Sequence, residues 1–190
     1  NYYICYVTLE NKNLSHLPVY LLSEDQMSRY AIYMATLGNR PDLFPGSEYV
    51  GKYTEPPEGY EVPREYLDDE TFAAILSEAE KYIGYPYVWG GSSPATSFDC
   101  SGYVSWVINH SGWNVGRLGA QGLYNICTPT SNPQPGDLVF FKGTYDTPGV
   151  SHCGIYVGDG RMLHCGDPIG YANLNTSYWQ SHFYAYGRLP

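Results

Sequence analysis

The tetrapeptide Asp99-Cys100-Ser101-Gly102 opens a stretch in which Cys100, Tyr103, Val104, Val107 and Ile108 recur with helical period until Gly112. That spacing puts Cys100 in the first turn of a helix. There the unpaired backbone N–H groups and the positive end of the macrodipole favour thiolate over thiol. The same donors, including the amide of Cys100 itself, suit an oxyanion formed when the thiolate attacks a carbonyl. Free cysteines are more often small core residues. Here, however, polar neighbours and a preceding Gly90-Gly91 loop leave a substrate room to approach.

A cysteine nucleophile needs an imidazole to take its proton and a third group to orient that imidazole. His152 and His164 flank Gly158-Asp159-Gly160, which reads as a three-residue hairpin turn. Pairing Val157 with Arg161 then sets Cys153 opposite Cys165 and His152 opposite Gly166, with both histidines on one face. We expect that face to meet the Cys100 helix and the two cysteines to point into the other, packed side. A one-residue slip would separate the histidines.

The doubled His-Cys dipeptides at 152–153 and 164–165 also spell an acceptable zinc ligand set. Strand alternation sends neighbours to opposite faces, so one ion cannot readily collect all four. No metal and no cofactor is expected. A Cys153–Cys165 disulfide is geometrically open in this register.

The elements that must position these groups form an α+β layer. Phe72, Ile75, Leu76, Ala79, Tyr82 and Ile83 keep one helical face, with Asp68, Asp69 and Glu70 at its start and Gly84 and Pro86 as terminators. After the Cys100 helix, 137–141, 152–157, 161–165 and 183–189 are short strand-like runs separated by Gly, Pro and Asp. Helices first and antiparallel strands after make two layers. Ahead of them, 2–9 and 18–22 read as strands and 23–37 as a capped helix, a small α/β unit over 1–44. A Pro/Gly-rich connector over 45–66 then leads into the catalytic domain, 67–190.

With 190 residues the chain has room for one full core and this appendage. No apolar run approaches the ~20 residues of a membrane span. A net charge of −9 without a basic stripe excludes nucleic-acid recognition through the phosphate backbone. Five cysteines, at 5, 100, 127, 153 and 165, leave at least one thiol free. The sequence starts at Asn1 with no basic n-region or apolar h-region, so any export signal is expected to lie outside it or to have been removed, and the N-terminal unit could be the end of a larger upstream domain.

Four blocks carry a resemblance. They are Tyr85-Pro86-Tyr87-Val88-Trp89-Gly90-Gly91, Phe98 to Gly102, Pro135-Gly136-Asp137-Leu138-Val139-Phe140-Phe141, and His152 to Val157 followed by His164. In this order and spacing the chain from about residue 70 onward resembles the NlpC/p60 cell-wall cysteine peptidases. The whole chain is similar to members carried on conjugative elements of Gram-positive bacteria. The resemblance implies a papain-like α+β fold with helices packed on an antiparallel sheet. It also implies hydrolysis of peptidoglycan stem peptides, at the bond between γ-D-glutamyl and diaminopimelate or lysine, at the cell wall or outside the cell.

By position, the resemblance makes Cys100 the nucleophile, His152 the base and His164 the residue that orients it. Tyr87, Asp99 and Ser101 match positions lining the substrate site, with Asp99 a candidate to hold a free stem-peptide amine. The plain readings of those three are a core tyrosine, a helix N-cap and a first-turn serine. Cys153 stands where the family has an aliphatic residue, and is expected to substitute without touching the chemistry. Trp89 and Trp106 read as packing residues. Two rivals remain: an amidase or acyltransferase using the same three residues, and a wall-binding module without turnover.

Overall fold

The computed structural model describes residues 59–190. The strands and helix expected over 1–44, and most of the connector, lie outside the described residues. Helix α1 (Glu70–Ala79) begins at Asp69, whose carboxylate accepts from the amides of Thr71 (2.9 Å) and Phe72 (3.1 Å). It buries Phe72, Ile75, Leu76 and Ala79, the face that the periodicity marks out. The chain then tightens into a 3-10 turn, Glu80–Tyr82, and leaves it at Gly84, whose φ of +90° suits a residue without a side chain.

Two short strands, β1 (Ser92–Ser93) and β2 (Ser97–Phe98), form a small hairpin that delivers the chain to helix α2 (Cys100–Asn109). A short helix α3 (Ala120–Ile126) follows, then the strands β3 (Thr128–Thr130), β4 (Leu138–Lys142), β5 (Val150–Gly158), β6 (Arg161–Cys165) and β7 (Ile169–Asn173). Helix α4 (Ser177–His182) and strand β8 (Phe183–Arg188) complete the described chain. The last six strands make one antiparallel sheet in the order β3-β8-β4-β5-β6-β7. Helices packed on an antiparallel sheet are the α+β architecture that the sequence implies.

The main core lies between α1, α2 and one sheet face, where Phe72, Tyr103, Val104 and Val107 meet Leu138, Phe140, Cys153, Ile155 and Leu163. Tyr103 also ties the two helices, its hydroxyl donating to the Ala79 carbonyl (2.9 Å). A smaller cluster of Val139, Phe141, Met162 and Leu174 occupies the opposite face, with Trp179 of α4 packed on it. Residues 59–68 strap across one end. The Tyr60 and Tyr66 hydroxyls donate to Asp159 (3.0 and 2.9 Å), and Val62 joins the main core.

The β5–β6 connection differs from expectation. Its turn has two residues, Asp159-Gly160, both left-handed (φ 51° and 65°), as the twist of a tight hairpin requires. Arg161 pairs with Gly158, and the register shifts before Tyr156 pairs with Met162. That irregularity absorbs the extra residue. Further along, Ile155 faces Leu163, the register that a Val157–Arg161 pairing implies.

Candidate active site

Cys100 heads α2 because Asp99 caps it. One Asp99 carboxylate oxygen accepts from the Gly102 amide (2.7 Å) and from the Ser101 hydroxyl (3.0 Å). The other accepts from the Gly90 amide (3.1 Å), which fixes the loop before the helix. Arg117, on the loop between α2 and α3, grips both oxygens (2.9 and 2.7 Å) and also donates to the Ser101 hydroxyl (2.9 Å). Asp99 is thus a helix cap and half of a bidentate ion pair. Arg117 carries no motif in the sequence. Its only signal is a lone cation in a loop 18 residues beyond Asp99.

Helix and loop touch without an intervening side chain. A Cβ at Gly102 would stand 2.1 Å from the Gly91 carbonyl oxygen, and one at Gly91 would stand 2.6 Å from that of Ser97. These two glycines let the first turn of α2 lie directly on the loop. Nearby, Tyr87 is half-buried, and its amide donates to Asp167 (3.1 Å). Burial and then the negative charges of Cys100 and Asp99 push its phenol far up, so its hydroxyl keeps its proton beside the nucleophile.

His152 and His164 come together as the alternation predicts. The Nε2 of His152 lies 2.8 Å from the Nδ1 of His164, with the rings edge to face at 5.0 Å. The face they start from is the one opposite to our expectation. Cys153 and Cys165 point into the core shared with α2, whereas Phe141, Met162 and the histidines lie on the side covered by α4. The reason is packing: Phe140 pairs with Cys153 and Leu138 with Ile155, so the residues that need burial under the helices are the apolar ones. Beside His152, β4 carries irregularities at Phe141 against both neighbouring strands. Bulges commonly re-aim side chains at sites of this kind.

The Cys100 thiol is held well below its ordinary value. The first cause is a hydrogen bond from the Cys153 thiol; burial opposes it, and a hydrogen bond and positive charge from His152 add to it. Cys153 itself is pushed well up, by burial first and then by its contact with Cys100, so it stays a donor. Cys153 thus stands against the nucleophile, a neighbour that the sequence reading takes only as a space-filling core residue. Burial, with the charge of His152 second, holds His164 well below the usual imidazole range and keeps it neutral. A neutral His164 can accept at Nδ1 from an Nε2–H of His152.

The described cysteines are free thiols, and Cys165 donates to the Phe98 carbonyl (3.2 Å). The zinc alternative would need the two histidines and two cysteines on one ion. They stand on opposite faces of the sheet, and no group of three or more potential ligands occurs among the described residues.

One further side chain meets both histidines. Trp179 stacks on His152 (centroids 5.4 Å, 27°) and stands edge-on to His164 (5.2 Å, 86°). Its sequence context offers no periodicity or motif that connects it to His152.

The model of the NlpC/P60 family matches residues 84–188. The bifunctional muramidase/DL-endopeptidase CwlT of Bacillus subtilis is 43% identical over 121 residues, 62% of this chain and 36% of that protein. The gamma-DL-glutamyl hydrolase of the same organism is 42% identical over 112 residues, 56% of this chain and 27% of that one. In both curated relatives the match covers well under half of their length. Among solved structures, a lipoprotein-like NLP/P60 protein of Staphylococcus aureus aligns with a TM-score of 0.62 at 42% identity, covering 74% of this chain and 46% of that one. The NlpC/p60 domain of the peptidoglycan hydrolase SagA aligns at 0.50 and 30% identity, covering 62% and 98%.

Proposed function

This chain belongs to the NlpC/P60 family, and from that membership we propose that it is a cysteine peptidase cutting peptidoglycan stem peptides between γ-D-glutamyl and the diamino acid that follows. The observation that carries the reading is a depressed thiol at the N-terminus of α2, within reach of an imidazole that a second, neutral imidazole holds at 2.8 Å. The names of the relatives support the substrate: one is a DL-endopeptidase, one a gamma-DL-glutamyl hydrolase, one a peptidoglycan hydrolase. The place of action is accordingly the cell wall or the space outside the cell.

The Sγ thiolate of Cys100 attacks the carbonyl carbon of the γ-glutamyl amide. Asp99 takes the Gly102 amide through its carboxylate and the Tyr103 amide through its carbonyl (2.9 Å). The Cys100 and Ser101 amides then serve the oxyanion. As the tetrahedral intermediate collapses, the imidazolium of His152 gives its proton to the departing amine, leaving a thioester. Neutral His152 next takes a proton from water as the hydroxide attacks the thioester; the C–S bond breaks, the thiolate–imidazolium pair is restored, and the released acid gives its proton to solvent. Throughout, His164 accepts from His152 Nε2–H and fixes the ring. Tyr87, Asp99 and Ser101 form the wall on the acyl side, Asp99 and Ser101 acting through their shared grip on Arg117.

The test is incubation with muramidase-digested peptidoglycan and, separately, with free stem tetrapeptide, products being identified by mass spectrometry. Cleavage after γ-D-glutamate is expected from the parent, and a loss of at least about 10³-fold from Cys100→Ala. Turnover that survives Cys100→Ala would sink the scheme. Preference between the two substrates reads out whether a free amine is recognised. If the parent cuts neither while its thiol stays reactive, the reaction is another acyl transfer.

A further inference from the structure

Trp179 belongs to α4, a short helix on the sheet face away from the main core. Its indole lies nearly parallel to the ring of His152 (27°) and perpendicular to that of His164 (86°), with centroids 5.4 and 5.2 Å away. It therefore touches both of the imidazoles that the 2.8 Å bond joins. Phe141 backs it at 4.6 Å and is itself fully buried. The Thr176 side chain accepts from the Trp179 amide (3.5 Å), and the Gln180 side-chain amide donates to the Leu174 carbonyl (2.7 Å), which anchors the helix to the preceding turn. Four aromatic contacts, the fourth with Tyr178 at 5.0 Å, and these two anchors of α4 hold the indole where it meets both histidines.

An indole face is the strongest side-chain partner for a cation, and the attraction grows where water is excluded. Of the two imidazoles, His152 is the one whose charge changes in the proposed reaction, from imidazolium in the resting pair to neutral base at deacylation. Resting on the peptidase reading, we propose that Trp179 is a positioning residue: its face holds the ring of His152 and favours its imidazolium form, and its edge shields the bond to His164 from water. The groups packed against His152 are few. Cys100 of α2 and His164 of β6 are titratable, whereas β4 presents Phe141 and α4 presents Trp179. The histidine that α4 itself carries, His182, is taken up by Tyr178, with rings 4.5 Å apart and its Nδ1 2.8 Å from the Tyr178 carbonyl.

The experiment compares the parent with Trp179→Leu and Trp179→Phe in two measurements over pH 5–10. One is the rate of Cys100 alkylation by iodoacetamide, which needs no peptidoglycan. The other is kcat and KM on the stem-peptide substrate. Removal of the ring should move the upper pH limb of kcat/KM downward and lower kcat about tenfold, with KM within about twofold. Phenylalanine, a weaker cation partner, should fall between. The alkylation profile of Trp179→Leu should lose its ion-pair plateau over the same pH interval. Circular dichroism and thermal melting separate loss of fold from loss of positioning. If the leucine variant does not fold, Trp179→Phe decides: a profile identical to the parent overturns the proposal. Parent limbs in a folded Trp179→Leu, or a change in KM alone, overturn it as well. Should the parent cut no stem peptide, the peptidase reading fails by itself, and the alkylation profiles still report on Trp179.

Discussion

Cys153 places a second buried thiol against the nucleophile, where an apolar side chain of similar size would fill the same core space. Its S–H is the leading influence that lowers the Cys100 thiol, ahead of His152. Cys153→Val should leave the core intact, since volume changes of this size cost under about 1.5 kcal/mol. It should raise the Cys100 thiol toward its ordinary range. The expected readout is iodoacetamide labelling about tenfold slower at the acid end of the profile, with the rate restored at alkaline pH. Labelling that matches the parent at every pH would mean that the helix terminus and His152 suffice. At this scale Cys100, His152 and His164 are legible because each needs only local pattern: a helix start, and two positions of equal parity on paired strands. Arg117 and Trp179 are not, because a lone cation in a loop and an aromatic on a two-turn helix acquire their partners only through tertiary packing.

Helix α2 is the element on which the site depends, and its position is set by backbone against backbone. Gly102→Ala puts two effects in opposition. Alanine in place of helical glycine contributes up to about 1 kcal/mol of helix stability. Against this, its Cβ would lie 2.1 Å from the Gly91 carbonyl oxygen and 3.1 Å from the Ser92 Cα, both of them backbone atoms that no rotamer can move aside. The clash wins: we expect a net loss of about 1–3 kcal/mol and at least about a tenfold fall in activity, as the helix backs away from the loop. Thermal melting beside the Cys100 labelling rate checks both, and an alanine variant that melts above the parent would refute this view of the contact. The same scale shows where sequence reading stops. Strands β4, β5, β6 and β8 announce themselves through apolar, β-branched and aromatic runs. Strand β7 reads Ile-Gly-Tyr-Ala-Asn and β3 reads Thr-Pro-Thr, weak strand formers that are ordered by pairing with β6 and β8. Helices α3 and α4 have seven and six residues, too few to show a period.

For the molecule as a whole, the buried thiols and His164 make stability depend on pH in a way that can be separated from activity. His164 is depressed below its unfolded value of 6.5, so its contribution is fully present above 6.5 and is lost as pH falls through the folded value. Cys100 is depressed below 9.0, so its contribution is complete only above 9.0 and declines as pH falls. Cys153 and Cys165 are raised, and Cys127 is pushed up to about 12 by burial and the charge of Asp137. Their contributions are complete below 9.0 and are lost as pH rises toward the folded values. Unfolding in urea under reducing conditions should therefore show stability falling as pH rises beyond 9, where the three raised thiols lose their contribution. Cys100→Ala should leave that alkaline fall in place, because it belongs to the other thiols. A parent protein whose stability stays level above pH 9 would show that these buried thiols titrate in the folded chain as they do in the unfolded one.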